Sequence, residues 1–529
     1  MVDIIIPPAL RQARIRFEYV DPSGYSASRY TGVGQSTNYG GDRVKATIDF
    51  TNHGGRLAAG LSERAQLKSF LMALQGSQGR IYVTDVSSQT RGTFSTSELL
   101  ANNEFSSTSG WSANNVSLSA SDGVLRATVA GTGTREAYQN ATVVQYAAYA
   151  LRVIDKDGRG TSGVQIGPYF DDGVSSAFAV STTRGYHVAS KVSLNAGSRK
   201  CAVAFFNQST GFGQGDYVDV LSASMTRCLL VDGGGNGLLH SDAIGEAAWT
   251  KTGGAISTNL VTAPDGTSTG DTLVEDTSTG SHSITQGASR TSAVEDLCAY
   301  GFFRDESGTR NLEFIVDDGA GNGGRVNVNL TTGAISSTSN VGTGSFPRGF
   351  IFDAGNSWRF VAVIAQCPAT TTVRFQAFLT SAGNVSYTGN GSAGMSFWRL
   401  GTHRTSVPTR GNQSTSAAVA ASGQTASIIY VKGGRTPSEG SLESALAKGD
   451  WVEVDGQLLM VMSPLDLDAS GRGTLQVSPP PRRSLADNTP IIIHKPMGRF
   501  MLSRGSMAGW SNDPGVFSSA QLELEAAFA

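Results

Sequence analysis

The sequence lacks a long apolar run. No stretch approaches the ~18 apolar residues that a membrane-spanning helix requires, so we expect no membrane insertion. The N-terminal run Ile4–Ile6 is too short for the core of a secretory signal, and we expect synthesis in the cytosol without an N-terminal export signal. The chain also lacks a large excess of positive or negative charge. Its net charge is −2, which gives no electrostatic reason to expect nucleic-acid binding.

Cysteine and histidine are scarce. None of the four cysteines has C-x-x-C spacing, and none of the six histidines has a partner at metal-ligand spacing, so we expect no zinc site. No residue is singled out as a catalytic nucleophile. A glycosidase carboxylate pair stays open, because its two members can lie far apart in the chain. We predict no enzymatic activity, no catalytic residue and no cofactor. The cysteines lie in apolar or alternating segments typical of buried free thiols, at positions 201, 228, 298 and 367.

Glycine, serine and threonine are abundant. The 65 glycines occur among segments in which apolar and polar residues alternate, a pattern typical of many short strands and turns. At 529 residues the chain is too long for one core, and roughly three to four domains are expected. The sequence therefore predicts a mainly β protein of several domains.

The two chain ends carry complementary pieces of structure. Near the N-terminus, alternating segments such as 15–19 and 45–50 predict strands, and residues 62–76 predict a helix with apolar residues on one face. Near the C-terminus, Asp455-Gly456 between two alternating runs predicts a hairpin. Neither end has enough strands for an independent sheet. We predict that the two ends together close one small barrel with one packed helix.

These ends resemble the distal tail protein of long-tailed bacteriophages, whose barrel is akin to the tail-tube fold. The matching text is LSERAQLKSFLMALQGSQGRIYVTD, then LAKGDWVEVDGQLLMVMSPLDLDASGRGTLQVSPPPRR, and finally MGRFMLSRGSMAGWS. The hairpin, the Asp/Gly stretch and the Pro/Arg corner follow one another in the order found in that family. The resemblance implies a split tail-tube-like β-barrel in two pieces, which we place at residues 1–97 and 437–529.

The region between the ends contains a degenerate repeat. Leu99–Asn103 precedes Trp111, and Leu238–Asp242 precedes Trp249; an Asp-Gly turn and a strand ending in glutamine follow each tryptophan. We predict two inserted antiparallel β-sandwiches, at 98–230 (insert 1) and 237–436 (insert 2). The link at 232–236 belongs to either insert or returns briefly to the barrel.

Insert 2 resembles the carbohydrate-binding-module-like jelly rolls that are inserted in phage tail proteins. The matching text is AAWTKTGGA, APDGTSTGDTLVEDTSTGSHSITQ and NSWRFVAVIA. Sugars present apolar C–H faces and hydroxyls, so a glycan site needs exposed aromatic rings beside polar side chains. Trp111, Trp249 and Trp358 fit a core role better. We predict that the glycan-contacting surface residues are Tyr300, Phe302, Arg304, Trp398 and Arg399.

Two acidic stretches raise the alternative of structural calcium. Asp155–Gly158 and Asp171–Gly173 have the composition of calcium-binding loops, although plain turns explain them better. Asp466–Gly471 begins like an EF-hand loop, but Val477 stands where the bidentate glutamate is required. We therefore assign no metal ligand.

The resemblance implies a virion structural protein located in the phage tail and made in the host cytoplasm. Such a protein forms a ring, usually a hexamer, that joins the tail tube protein to tail tip, hub or baseplate proteins. The inserts then project outward toward host cell-surface polysaccharide or fibres. Two alternatives remain: a stand-alone carbohydrate-binding protein, and a tail-associated polysaccharide depolymerase.

Overall fold

The computed structural model of the chain describes residues 2–5, 14–20, 24–27, 34–37, 43–50, 67, 70–72, 74, 79–84, 92–94, 96–156, 165–173, 176–182, 185–193, 195–207, 213–233, 235–404, 414–415, 427–434, 436, 439–468, 471–503, 509–512 and 518–526.

Strands make up most of the described chain, in agreement with the predicted mainly β fold. The N-terminal strands are β1 (Val2–Ile5), β2 (Arg14–Val20), β3 (Gly24–Ala27), β4 (Gly34–Thr37), β5 (Arg43–Phe50) and β6 (Gly79–Thr84). The next are β7 (Ser112–Asn114), β8 (Val116–Ser121), β9 (Val124–Val129), β10 (Arg135–Val143), β11 (Ala148–Lys156), β12 (Ile166–Asp171), β13 (Ser176–Phe178), β14 (Tyr186–Val192), β15 (Gly197–Phe206), β16 (Tyr217–Arg227) and β17 (Leu229–Val231).

The second half of the chain continues in the same way. Its first strands are β18 (Thr250–Thr252), β19 (Gly254–Val261), β20 (Gly270–Glu275), β21 (Thr279–Asp305), β22 (Asn311–Asp317), β23 (Gly323–Asn329), β24 (Ala334–Val341), β25 (Ser345–Asp353), β26 (Arg359–Thr380), β27 (Ser386–Thr388) and β28 (Gly394–Arg404). The last are β29 (Ile428–Lys432), β30 (Leu442–Leu446), β31 (Trp451–Val454), β32 (Gln457–Val461), β33 (Leu465–Leu467), β34 (Gly473–Ser478), β35 (Pro490–Ile492), β36 (Met497–Leu502), β37 (Gly509–Asn512) and β38 (Ser518–Ala526).

One sheet is built from both chain ends, and we call it the chain-end sheet. Its strand order is β1-β6-β36-β38-β5-β2, with β37 paired to β38. Helical residues 67 and 70–72 pack on it, and their apolar side chains Leu67, Phe70 and Leu71 are buried with those of the strands. The alternating burial along β5 follows the alternating sequence, because successive side chains of a strand point to opposite faces.

The closed barrel is separate from the chain-end sheet, which differs from the single shared barrel that we expected. It contains the predicted hairpin β31–β32 together with β17, β29, β34 and β35. Strand β17 pairs with both β29 and β35 and so closes the barrel, which means that the chain returns to the barrel just before the link at 232–236. A three-residue strand has too little alternation to be predicted from sequence. The barrel core includes Leu229, Val231, Val454 and Leu475.

Insert 1 is a sandwich of two five-stranded sheets. One sheet has the order β13-β12-β15-β10-β7 and the other β14-β11-β16-β9-β8. Their inner faces share one core that contains Trp111, Tyr149, Phe170 and Phe206. In insert 2, strands β18–β28 form one hydrogen-bonded sheet of eleven strands, in which the long strands β21 and β26 pair along most of their length.

The predicted repeat between the inserts has a structural counterpart. In insert 1, the Trp111 Nε1 donates to the Asn102 carbonyl oxygen, and the Gln139 side chain bonds both main-chain groups of Ala101. In insert 2, Trp249 Nε1 donates to the His240 carbonyl oxygen, and Gln286 bonds both main-chain groups of Leu239. Both tryptophans are buried in the sandwich cores, which agrees with the structural role predicted for them.

A buried carboxylate joins insert 1 to the barrel and to the chain-end sheet. Glu453, on β31, accepts hydrogen bonds from the Arg152 guanidinium at 2.7 Å, from the Met497 amide at 2.8 Å and from the Tyr186 hydroxyl. The Glu453 and Arg152 side chains are 0% and 4% exposed. Burial and the Glu453 carboxylate raise the pKa of Tyr186 well above its usual value, so its hydroxyl stays protonated and donates.

We predict that Glu453→Gln destabilises the protein by about 3–5 kcal/mol, because it leaves the Arg152 charge buried without a counter-charge. The matched control is Glu104→Gln, which removes the half-exposed partner of Lys495 and should cost less than about 1 kcal/mol. Urea unfolding followed by tryptophan fluorescence measures both. Equal losses in the two variants would contradict the central role of Glu453.

A second buried carboxylate stabilises one end of insert 2. Glu275 accepts hydrogen bonds from Arg310 at 2.6 and 2.8 Å, from the Tyr387 hydroxyl at 2.7 Å and from the Asn390 amide at 2.8 Å. Desolvation alone would raise the pKa of Glu275, but these hydrogen bonds outweigh it and lower the pKa to about 2. The charged form is therefore the one that stabilises the folded state.

The depressed pKa predicts acid sensitivity of insert 2. The stabilisation from Glu275 is complete above the unfolded-state pKa of 4.5 and is lost as the pH falls toward 2, a change on the order of 3 kcal/mol. Glu275→Gln should lower stability at neutral pH and flatten its dependence between pH 4.5 and 2. Thermal unfolding measured across this pH range tests the prediction. The control is Glu246→Gln, which changes an exposed glutamate. An unchanged pH slope in Glu275→Gln would refute the assignment.

Candidate functional site

The aromatic residues predicted as glycan contacts lie in the interior. Tyr300, Phe302 and Trp398 are only 0%, 3% and 4% exposed. They belong to a second apolar cluster of insert 2, on the opposite face of the β21–β26–β28 sheet from the main core. The expectation that their rings are exposed is wrong, because Phe302 packs against its cross-strand partner Phe360 and the same cluster also includes Trp358 and Ala263.

The two arginines of the predicted set are more accessible. The Arg399 side chain is 40% exposed and its guanidinium lies 4.4 Å from the centre of the Trp398 ring. Arg304 forms a bidentate hydrogen-bonded pair with Glu306 and lies over the Trp358 ring. The structure thus brings the five predicted residues together, but as a packed cluster without an open aromatic face. Their role as glycan contacts stays an untested prediction.

A partly exposed set of aromatic side chains occurs in insert 1 instead. Phe178, Tyr169 and Phe205 form a stacked row, which we call the aromatic row. The Phe178 and Tyr169 ring centres lie 5.9 Å apart with an interplanar angle of 6°, and those of Tyr169 and Phe205 lie 4.8 Å apart at 18°. Phe178 is 60% exposed on edge strand β13, so the ring face turned away from Tyr169 is open to solvent.

The strand register explains how the row forms. Tyr169 on β12 pairs with Phe178 on β13, and β15 lies on the other side of β12 and carries Phe205. Neighbouring Phe170 points to the opposite face and is buried in the core. Because side chains alternate between faces, the residues that flank core positions on adjacent strands meet on the outer face.

Polar groups surround the aromatic row. The Tyr169 hydroxyl donates to Asp171 at 3.0 Å, and Lys200 pairs with Glu136 at 2.7 Å while lying over the Tyr138 ring. Burial raises the pKa of Tyr169, and the Asp171 carboxylate raises it further, so the hydroxyl remains a hydrogen-bond donor. The face therefore combines an open aromatic ring with both donors and acceptors.

The aromatic row lies on the face of insert 1 that is turned away from the barrel. The other sheet of insert 1 turns its outer face toward the barrel, where Ala148 and Ala150 cluster with Leu230 and Ile492. Arg152, on the same face of β11, contacts Glu453. Since the two sheets of a sandwich have opposite outer faces, the row points outward.

The acidic residues considered as calcium ligands have partners within the protein. Asp155 accepts from the Gly185 amide, Asp171 accepts from the Gly173 amide, and Asp172 pairs with Lys191 at 2.8 Å. The described residues contain no cluster of three or more His, Cys, Asp or Glu side chains that could hold a metal ion. The remainder of the first calcium candidate, 157–158, lies outside the described residues.

Within the described part of the chain, no helix has the length and apolarity needed to cross a membrane.

Sequence reasoning missed the aromatic row. Phe178 lies in a three-residue strand, and its stacking partners come from two other segments of the chain. The one local signal is the adjacent pair Tyr169-Phe170, which places an aromatic side chain on each face of one strand.

No protein-family model matches this sequence, and no curated protein matches it. Among solved structures, the chain is similar to the N-terminal CBM22-1–CBM22-2 tandem domain of Paenibacillus barcinonensis Xyn10C, with 12% identity over 60% of this chain and 100% of that chain, at a TM-score of 0.20. It is also similar to the M60 catalytic domain with the CBM51-1 and CBM51-2 domains of Clostridium perfringens ZmpB, with 9% identity over 74% of this chain and 43% of that chain, at a TM-score of 0.16. Similarity at these scores carries no argument about function.

Proposed function

We propose that this chain is a non-catalytic glycan-binding protein. In this proposal, the chain-end sheet and the closed barrel form a scaffold that presents the aromatic row of insert 1 to a polysaccharide. The observation that carries the proposal is the exposed Phe178 ring, stacked on Tyr169 on a face directed away from the barrel. An aromatic ring that stays exposed at the end of a preformed row marks a contact surface.

The chemistry of the row suits a sugar. The open Phe178 face offers an apolar plane for sugar C–H groups, and the Asp171 carboxylate and the Lys200 ammonium offer hydrogen-bonding groups for hydroxyls. Because Tyr169 and Phe205 already hold one another in place, little side-chain entropy is lost on binding. The site needs no cofactor, and we propose that it binds glycan without cleaving it.

We expect Phe178→Ala to lower polysaccharide affinity by about tenfold, equivalent to about 1.4 kcal/mol, because it removes the open ring. Affinity electrophoresis against a panel of bacterial surface and plant polysaccharides measures the change. Tyr430→Ala is the matched control, since Tyr430 is a similarly exposed aromatic residue on the barrel at 56%. The proposal fails if the unmodified protein binds no polysaccharide in the panel, or if both variants bind equally well. Release of reducing ends during the assay would overturn the non-catalytic assignment.

We propose, as a second candidate, that the glycan-binding chain is a distal tail protein of a long-tailed bacteriophage virion. The observation in favour is that strands from both chain ends share one sheet while the sandwiches are inserted between them. Such a scaffold could assemble into a ring through its edge strands, with the inserts projecting outward toward the host. The proposed partners are other copies of this chain, the tail tube protein and the tail tip or hub proteins. Weak glycan contacts would then add up by avidity.

The tail proposal predicts closed rings with peripheral lobes in negative-stain electron microscopy of the full-length protein. Phe178→Ala should form the same rings, because the aromatic row faces away from the scaffold. Mass photometry gives the subunit number. A protein that stays monomeric both alone and after mixing with tail tube protein would argue against this second candidate and leave the glycan proposal untouched.

A further inference from the structure

A cleft of about 450 Å³ lies where three units of the chain meet. Insert 1 contributes Tyr186 and His187, the barrel contributes Asp455 and Ile492, and the chain-end sheet contributes Arg499. The aromatic row does not line it. Its volume lies within the range of small-molecule sites, which are typically a few hundred cubic ångströms.

Arg499 presents an uncompensated charge to the cleft. Its Nη2 donates to the main-chain carbonyl oxygen of Asp455 at 2.9 Å, and among the described residues no carboxylate forms an ion pair with it. The guanidinium also packs against Gly456, where an added Cβ would lie 2.4 Å from the Arg499 Nε. Arg499 is therefore held in place by the hairpin turn, with donors left for an acceptor that the described residues do not supply.

His187 offers a second polar group at the wall of the cleft. Its side chain is 9% exposed, and its Nε2 makes no hydrogen bond. The nearest acidic atom is Asp155 Oδ1 at 3.4 Å, which already accepts the Gly185 amide at 2.9 Å. A buried polar atom without a hydrogen bond is costly, so its persistence at the wall of a cleft points to a ligand.

The carboxylate that lines the cleft has its own counter-charge. The Asp455 side chain lies 3.6 Å from Arg483 Nη1, and Arg499 contacts Asp455 through its main-chain oxygen and not through its carboxylate. The remaining walls include the apolar side chains Ile492, Pro490 and Val188. The cleft thus combines an unpaired guanidinium and an imidazole with an apolar surface for the body of a ligand.

We propose that this junction cleft binds a small ligand that carries an oxyanion, either a carboxylate or a phosphate, on a body of about the size of a monosaccharide. The oxyanion is held by the Arg499 guanidinium and the His187 imidazole, since charge-assisted bonds from arginine to such groups are strong and geometrically matched. Ligand binding here also links three units, because each supplies part of the wall.

Calorimetric titration of the full-length protein with glucuronic acid, glucose 6-phosphate and glucose tests the proposal. We expect at least one of the two acids to bind about tenfold more tightly than glucose, and the tighter one identifies the oxyanion. Arg499→Gln should weaken binding of that acid by about tenfold, whereas Arg325→Gln, a change on β23 of insert 2, should leave it unchanged. No binding of either acid up to about 10 mM, or equal binding by Arg499→Gln, overturns the proposal.

Two further variants keep the test decisive if Arg499→Gln does not fold. Arg499→Lys retains the positive charge but loses the planar guanidinium. We therefore expect this single variant to weaken acid binding less than the double variant that carries both Arg499→Lys and His187→Gln. Unchanged acid binding in that double variant would also overturn the proposal. Phe178→Ala should leave acid binding at the cleft intact, so failure of the glycan site and failure of the cleft are distinguishable.

Discussion

The architecture depends on the buried carboxylate of Glu453. Its oxygens accept hydrogen bonds from Arg152 and Tyr186 of insert 1 and from the Met497 amide at the start of β36. A buried carboxylate that loses these partners is strongly unfavourable. Glu453 therefore keeps all of these hydrogen bonds only when insert 1, the barrel and the chain-end sheet are docked in this one arrangement. The outward direction of the aromatic row is a consequence of that arrangement.

Insert 2 is attached to the barrel by the same kind of interaction. Asp487 accepts from the buried Lys432 ammonium at 2.7 Å, lies 3.0 Å from the His403 Nε2 and also accepts the Gly233 amide at 2.8 Å. Burial by itself would raise the pKa of Asp487, but His403 and Lys432 outweigh it and lower the pKa well below its usual value. A barrel carboxylate thus contacts each insert, Glu453 for insert 1 and the mostly buried Asp487 for insert 2, and the barrel rather than the chain-end sheet is the hub of the molecule.

The sequence predicted the features that depend on residues close together in the chain. It did not predict the features that depend on pairing between distant segments. The Asp455-Gly456 hairpin and the tryptophan–glutamine repeat follow from local spacing, and both are present in the structure. The division into a barrel and a chain-end sheet depends on β17, whose three residues carry no pattern. Tyr300 and Phe302 alternate as surface residues would, but alternation does not show that a second apolar layer covers their face.

The two candidate sites depend differently on how the units of the chain are docked. The aromatic row lies on one sheet, so its geometry is independent of how the units dock. The cleft has walls from three units, so its ligand binds the docked arrangement and stabilises it by its differential affinity. Avidity requires that the aromatic rows of neighbouring copies point in a fixed direction. If insert 1 were attached flexibly, the effective concentration of the second row near the polysaccharide would be lower. The Glu453 contacts and an occupied cleft would therefore act together, the first by fixing the direction of insert 1 and the second by reinforcing it.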